Sequence, residues 1–244
     1  MLSVVLITKN EAANLERCLN SVKSIADEII LVDSGSTDQT LAIAKQFGSK
    51  IFHRDFTQFS EQKNFALSLA TKKWIFLIDA DEALTDALSQ EISTVIHSQN
   101  QETAYSVKRT TYFFGKKIRF SGTQHDAPIR LFPRGKIRYE QPVHEEIKTE
   151  LPVQRLNSRL LHFTTRDLKH YEQKLDGYIP LEIETLRLQK RPRSLVDQWI
   201  RPLGKFFHQY FIQLGILDGR TGFVFAFLSA RYTWIKYNRY CESC

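Results

Sequence analysis

Apolar residues come along this chain in short continuous runs separated by amphipathic stretches. The Val-Val-Leu-Ile run within residues 3–8 has the unbroken hydrophobicity of a strand buried on both faces. Leu15, Cys18, Leu19 and Val22 then recur at the spacing of a helix with one apolar stripe. Residues 28–32 give a second strand that ends on Asp33, and residues 34–38 supply a turn and a helix start. Leu41, Ala44, Lys45 and Gly48 carry that helix to a short strand at 50–53. A helix over 60–70 leads into the strongest run, Trp-Ile-Phe-Leu-Ile at 74–78. Such alternation with short connections predicts an α/β domain, an open and mostly parallel sheet with helices on both faces.

The pattern then changes. Residues 103–114 and 118–120 are β-branched and aromatic, with Gly115 and Gly122 as turn punctuation. From Leu168 to Leu188 the period is helical, and Lys190-Arg191-Pro192-Arg193 ends it. The expected organisation is a main domain over 1–190, with halves meeting near residue 100, and a helical extension over 191–244. A hydrophobic fraction of 42% supports a substantial core, and 25% charged residues argues against disorder. Residues 185–244 hold ten Lys/Arg against three acids, which accounts for the whole net charge of +7. Cys18, Cys241 and Cys244 form no disulfide framework, which suggests a reducing compartment, and one terminal C-x-x-C lacks the second pair a zinc site needs. Residues 1–7 read as a strand rather than a signal peptide, and no run of 18 apolar residues spans a bilayer as a simple helix.

The chemistry concentrates in Asp79-Ala80-Asp81-Glu82, directly after the strongest strand. The C-terminal edge of an open α/β sheet is where ligands bind. Crowded carboxylates there call for a cation, and a divalent metal carrying a phosphate group answers the need. A helix cap would account for one of these acids but not for three. The first turn, Thr8-Lys9-Asn10-Glu11, has neither a G-x-G-x-x-G nor a P-loop, so a nucleotide held here depends on carboxylates and a metal. Asn10, Glu11 and Asp33 fall at the same sheet edge as Asp79 and Asp81. Asp33 suits either a base edge or a turn. Lys63, near a helix N-terminus, opposes the dipole unless an anion is close, or else is solvated.

Taken in order, "SVVLITKNEAANLERCLNSV" at 3–22, "EIILVDSGSTDQT" at 28–40, "EQKNFAL" at 61–67 and "WIFLIDADEAL" at 74–84 resemble the family 2 glycosyltransferases of the GT-A fold. The resemblance implies a nucleotide diphosphate sugar donor, usually a UDP-sugar, and inversion at the anomeric carbon. It implies that Asp33 meets the base, that Asp79 lies near the ribose, and that Asp81 ligates Mg²⁺ or Mn²⁺ on the diphosphate. "IRLFPRG" at 129–135, "PVHEEI" at 142–147, His162 and the aromatic stretch 206–237 are similar to a bacterial subfamily that adds a sugar, typically glucose, to lipopolysaccharide inner core. In that pattern Glu145 is the general base, with Glu146 as the neighbouring choice.

His144 and His162 are open between metal or donor contacts and structural histidines. Arg130 is open between an acceptor or phosphate contact and a solvated side chain. Processive relatives carry Gln-x-x-Arg-Trp; here Gln198-Trp199-Ile200-Arg201 is followed by Pro202, which argues against polymer synthesis. The expected partners are a nucleotide sugar, a lipid-linked glycan acceptor and, through residues 195–240, an anionic membrane surface. The same aromatic tail could instead pack on the main domain or form a dimer interface. Peripheral association with the cytoplasmic face of the inner membrane follows from the membrane reading. No nucleic-acid motif is present. Transfer to a polyprenyl phosphate or another surface glycan, and a non-catalytic nucleotide-sugar binder, are the alternatives.

Overall fold

The computed structural model describes residues 1–98, 102–140, 146–191 and 195–242. Its strands are β1 (Leu2–Thr8), β2 (Glu28–Asp33), β3 (Lys50–His53), β4 (Trp74–Leu77), β5 (Glu82–Leu84), β6 (Ala104–Phe113), β7 (Lys116–Ile118), β8 (Ile129–Pro133), β9 (Arg138–Glu140), β10 (Glu146–Lys148) and β11 (Val153–Thr165). Its helices are α1 (Ala12–Val22), α2 (Thr40–Gln46), α3 (Phe59–Ser68), α4 (Asp86–His97), α5 (Leu168–Leu188), α6 (Leu195–Phe207) and α7 (Gly219–Glu242).

The main sheet runs β3-β2-β1-β4-β8-β6-β11-β5, with β7 beside β6. The four strands β3, β2, β1 and β4 are parallel neighbours, and β8 joins β4 antiparallel. This is the open α/β sheet expected of a GT-A-type domain, and its parallel half is the part read as continuous apolar runs. The pleat explains the helices on both faces. Val4, Leu6, Leu31 and Phe76 pack with Leu15, Cys18, Leu19 and Val22 of α1 and Leu88 of α4. The alternate residues Val5, Ile30, Val32, Ile75 and Leu77 pack with Ala66 and Leu67 of α3. At the N-terminal edge of the parallel strands, buried Glu28 holds three segments together. It accepts from Ser3 Oγ at 2.6 Å, Lys50 Nζ at 2.7 Å, and Thr71 N at 2.7 Å.

Two compact units divide the chain, one of Met1–Arg109 with Ala127–His162, the other of Thr110–Asp126 with the chain from Phe163 onward. The expected boundary at 190 therefore moves, because α5 belongs with the C-terminal helices. Its buried stripe of Tyr171, Leu175, Ile179 and Ile183 packs with Leu228, Tyr237 and Tyr240 of α7. Glu182 of α5 adds polar ties, accepting from Tyr232 Oη at 2.8 Å and Lys236 Nζ at 2.6 Å. In this second unit α6 is followed by a π-helical turn (His208–Ile212), a 3₁₀ turn (Gly215–Asp218) and α7. A Cβ on Gly222 would lie 1.9 Å from Gly215 O, so the tip of this helical hairpin closes only with glycine there. Among the described residues no single helix is long and apolar enough to cross a membrane.

Candidate active site

The site is built at the C-terminal edge of the parallel strands. Ile78 N still donates to Val5 O at 3.0 Å, and the chain then leaves the sheet through Asp79, Ala80 and Asp81. Thr85, and not an acid, caps α4, with Leu88 N donating to its Oγ1 at 3.2 Å. The acids are thus released from capping.

Glu82 closes the loop on itself. Asp79 N donates to Glu82 Oε2 at 3.0 Å, and Glu82 N donates to Asp79 O at 2.9 Å. Arg130 of β8 reaches in from the neighbouring strand, and its Nη2 bonds both Asp79 Oδ2 and Glu82 Oε1. Arg109 of β6 adds a contact from Nη1 to Glu82 Oε1 at 3.1 Å. Glu82 is fully buried and Arg130 nearly so, which makes mutual neutralisation obligatory. Burial alone would raise the Asp79 carboxyl, yet the Arg130 charge, with Lys63 and Arg109 behind it, holds it well below the usual carboxylate range. Burial pushes the Glu82 carboxyl up, against the pull of Arg130 and with the push of the Asp79 charge. Burial disfavours the Arg130 cation, but the two carboxylates more than reverse this and keep it charged.

These contacts revise two expectations. Arg130 is an interior residue that positions carboxylates and is not a solvated side chain. Lys63 is buried, its Nζ 5.1 Å from the centre of the Tyr139 ring and within the field of Asp79, so a surface lysine is excluded. Its neighbour Asn64 fixes β9 by pairing with both backbone groups of Tyr139, at 2.8 and 2.9 Å.

Asp33 takes the turn-forming role. Its carboxylate accepts from Gly35 N at 2.9 Å, Ser36 N at 2.8 Å, Ser36 Oγ at 2.5 Å and Thr8 Oγ1 at 3.3 Å. Four bonds fill the lone-pair sites of a carboxylate, so contact with a base requires giving one up. Asn10, with φ of 56°, ties the first two βα loops together, because its Oδ1 accepts from Thr37 N at 2.8 Å. Glu11 is half-buried at the start of α1, its Oε2 accepting from Asn14 Nδ2 at 3.0 Å.

Asp81 points to a different partner. His162 of β11 lies opposite Glu82 in the β5–β11 register, and its Nε2 is 3.6 Å from Asp81 Oδ2. His162 Nδ1 is buried without a hydrogen-bond partner among the described residues. His144 and Glu145, and the side chain of Glu146, lie outside the described residues. Cys18 Sγ is 3.6 Å from Asp79 O, and burial and then the nearby carboxylates push its thiol well up, which rules out a thiolate nucleophile. A shallow depression of about 630 Å³ lies beside α1, lined by Glu16, Arg17, Asn20 and Leu161, and none of the clustered carboxylates lines it.

Among the described residues no group of three His, Cys, Asp or Glu side chains converges to hold a metal by itself. Asp79 and Glu82 are engaged by arginine, and Asp81, beside His162, is a further carboxylate of the same loop with the chemistry to take a cation. Mg²⁺ and Mn²⁺ fit that donor set, since a hard cation of this kind is held by one or two carboxylates together with water and substrate phosphates.

Fold and site together define an α/β domain that gathers paired charges at the ligand-binding edge of its parallel strands. The model of the family described as glycosyl transferase family 2 matches residues 3–159, and the chain belongs to that family. An uncharacterized glycosyltransferase of Rickettsia felis is 29% identical, covering 99% of this chain and 90% of the relative. The lipopolysaccharide core biosynthesis glycosyltransferase LpsC of Rhizobium meliloti is 31% identical over 94% of this chain and 90% of its own length. Among solved structures, glucosyl-3-phosphoglycerate synthase from Mycobacterium tuberculosis with Mn²⁺ and uridine-diphosphate-glucose is similar at 22% identity and a TM-score of 0.39. That match covers 46% of this chain, which spans 44% of the solved one.

Sequence reasoning found the acids and missed their partners. Glu82 stood in the motif without a role, and Arg109 sits in a strand whose pattern gives no sign of what it faces.

Proposed function

We propose that this chain is an inverting, metal-dependent glycosyltransferase. It moves a hexose such as glucose from a UDP-sugar to a lipid-linked acceptor in the lipopolysaccharide inner core, at the cytoplasmic face of the membrane. The observation that carries the reading is the arginine-paired carboxylate cluster at the sheet edge, with Asp81 on the same loop. Its link to core lipopolysaccharide rests on the similarity to LpsC over most of both chains.

In this mechanism the acceptor oxygen attacks the anomeric carbon while the bond to the diphosphate oxygen breaks. Asp81 would hold the divalent ion, which when bound would supply Lewis-acid stabilisation to the departing diphosphate. Arg130 and Arg109 keep the loop in one geometry, so Asp81 is presented without reorganisation. Lys63 adds positive charge on the side where the donor's phosphates would arrive. Glu145, taken from the family resemblance, accepts the acceptor's proton as the new bond forms.

Release of free nucleotide diphosphate from a panel of sugar donors, with and without Mn²⁺, tests the reading. Glu145→Gln should lower kcat on the order of 10²–10⁴-fold and leave donor affinity unchanged. Full activity of that variant, with a silent Glu146→Gln, moves the base by one residue.

A further inference from the structure

Within the second unit, α6 and the turn after it invert the usual placement of polar and apolar side chains. On α6, Trp199 is 63% exposed and Ile200 is 62% exposed, while Gln198 is 9% and Gln209 in the following turn 7%. A helix of a water-soluble domain turns its apolar stripe inward. Here Val196, Trp199, Ile200, Leu203 and Phe207 form that stripe at helical spacing, and all are exposed. The tip continues it, with Ile212 73% and Leu217 62% exposed. A patch of this extent marks an interaction site.

The tip is also prepared to leave water. Gln213 N donates to His208 O at 2.8 Å, Leu217 N to Leu214 O at 2.9 Å, and Ser121 N to Gln213 O at 2.9 Å. Asp218, the one acid of the tip, accepts hydrogen bonds from Arg119 N at 3.0 Å and Phe120 N at 2.9 Å. Irregular backbone is tolerated in lipid only when its polar groups are satisfied within the protein. Val196–Ile212 and Gly215–Glu242 are together long and apolar enough for a membrane, but are bent by 73°.

We propose that the α6–α7 hairpin is a re-entrant anchor that enters one leaflet of an anionic bilayer, tip first, and returns to the same side. This deepens the membrane-surface reading and rests on it. Charge selects lipid over a second copy of the chain. Of the six Lys/Arg in residues 195–242, Arg201, Arg231, Lys236 and Arg239 pair with acids, so exposed Lys205 and Arg220 carry the charge that an isologous contact would bring together. Anionic headgroups complement them instead. Lys205 and Arg220 are exposed on the hairpin close to its tip, and long basic side chains reach back along apolar surface to lipid phosphates.

The chain's own tryptophans report the outcome. Trp199 and Trp234 lie on the hairpin and are exposed, whereas Trp74 is buried in the first unit. The full chain is mixed with phosphatidylcholine vesicles, with and without phosphatidylglycerol, some carrying bromines on the acyl chains. The expected result is sedimentation with anionic vesicles at low salt and quenching of the exposed tryptophans by acyl-chain bromines, with a residual unquenched signal from Trp74. Leu203→Glu and Leu217→Glu should each weaken vesicle binding about tenfold or more, with nucleotide diphosphate release and circular dichroism unchanged.

Absence of binding at low salt overturns the proposal, as does binding without bromine quenching, which means surface adhesion. A dimer that shields Trp199 without lipid overturns it in favour of a second copy. Vesicle binding by a protein without turnover leaves the anchor standing and removes the enzymatic reading.

Discussion

The edge of the first unit and the hairpin of the second depart from ordinary protein surfaces in opposite directions. At the edge, charges are taken out of water: Glu82 and Arg130 are buried against each other, with Asp79 and Arg109 completing the set. On the hairpin, apolar side chains are left in water while glutamines are buried. Burying charge is costly unless every member is paired, and exposing Trp, Ile and Leu forgoes burial energy. A fold selected for stability alone has little use for either. Under the proposed function and anchor, the edge serves a charged ligand and the hairpin an apolar one.

The two regions should respond to substitution in opposite ways. Arg130→Met leaves buried Glu82 and half-buried Asp79 short of a partner, and breaking a buried pair from one side costs about 3–5 kcal/mol. Denaturant unfolding should show that loss, and Arg130→Met with Glu82→Gln should recover part of it. An Arg130→Met protein of unchanged stability would mean that the cluster is not closed as described.

Glu28 offers a second, independent charge. Burial would raise its carboxyl, but bonds from Lys50, Ser3 and Thr71 bring it from 4.5 down to about 2. Because the folded pKa is the lower one, Glu28 stabilises the fold fully above about pH 4.5. That contribution, roughly 2–3 kcal/mol, is lost as the pH falls towards 2. Glu28→Gln should flatten acid unfolding over this range, and an unaltered pH profile would sink the assignment. At the other extreme, Leu203→Glu should change stability in lipid-free buffer by no more than about 0.5 kcal/mol, as exposed positions do. A large loss would show that Leu203 packs against protein.

Much of the edge was legible in the sequence because local patterns make it. Continuous apolar runs gave the parallel strands, and the acids after residue 78 fell where such strands deliver them. The partners were not legible, since Arg109 and Arg130 arrive from strands 27 and 48 residues away from Glu82. Nor was β11, whose sequence alternates irregularly and buries Leu156, Leu160 and Thr165. Asp33 was ambiguous because the same Asp-Ser-Gly sequence serves a turn and a ligand, and its four hydrogen bonds show the turn. The unit boundary was misplaced for a related reason. The basic break at 190–193 marks the end of a helix, whereas the units divide where tertiary packing changes.

The central claim is that Asp81, on the loop whose neighbouring carboxylates are held by arginines, is the carboxylate through which a metal-bound donor is engaged. Nucleotide diphosphate release from UDP-glucose, measured for wild type and Asp81→Ala across a Mn²⁺ titration, tests it most directly. The account predicts that wild-type turnover requires the ion. Asp81→Ala should lose about 10³-fold in rate, in line with several kcal/mol of charge stabilisation, and fold normally. Metal-dependent turnover near the wild-type level in Asp81→Ala would contradict it.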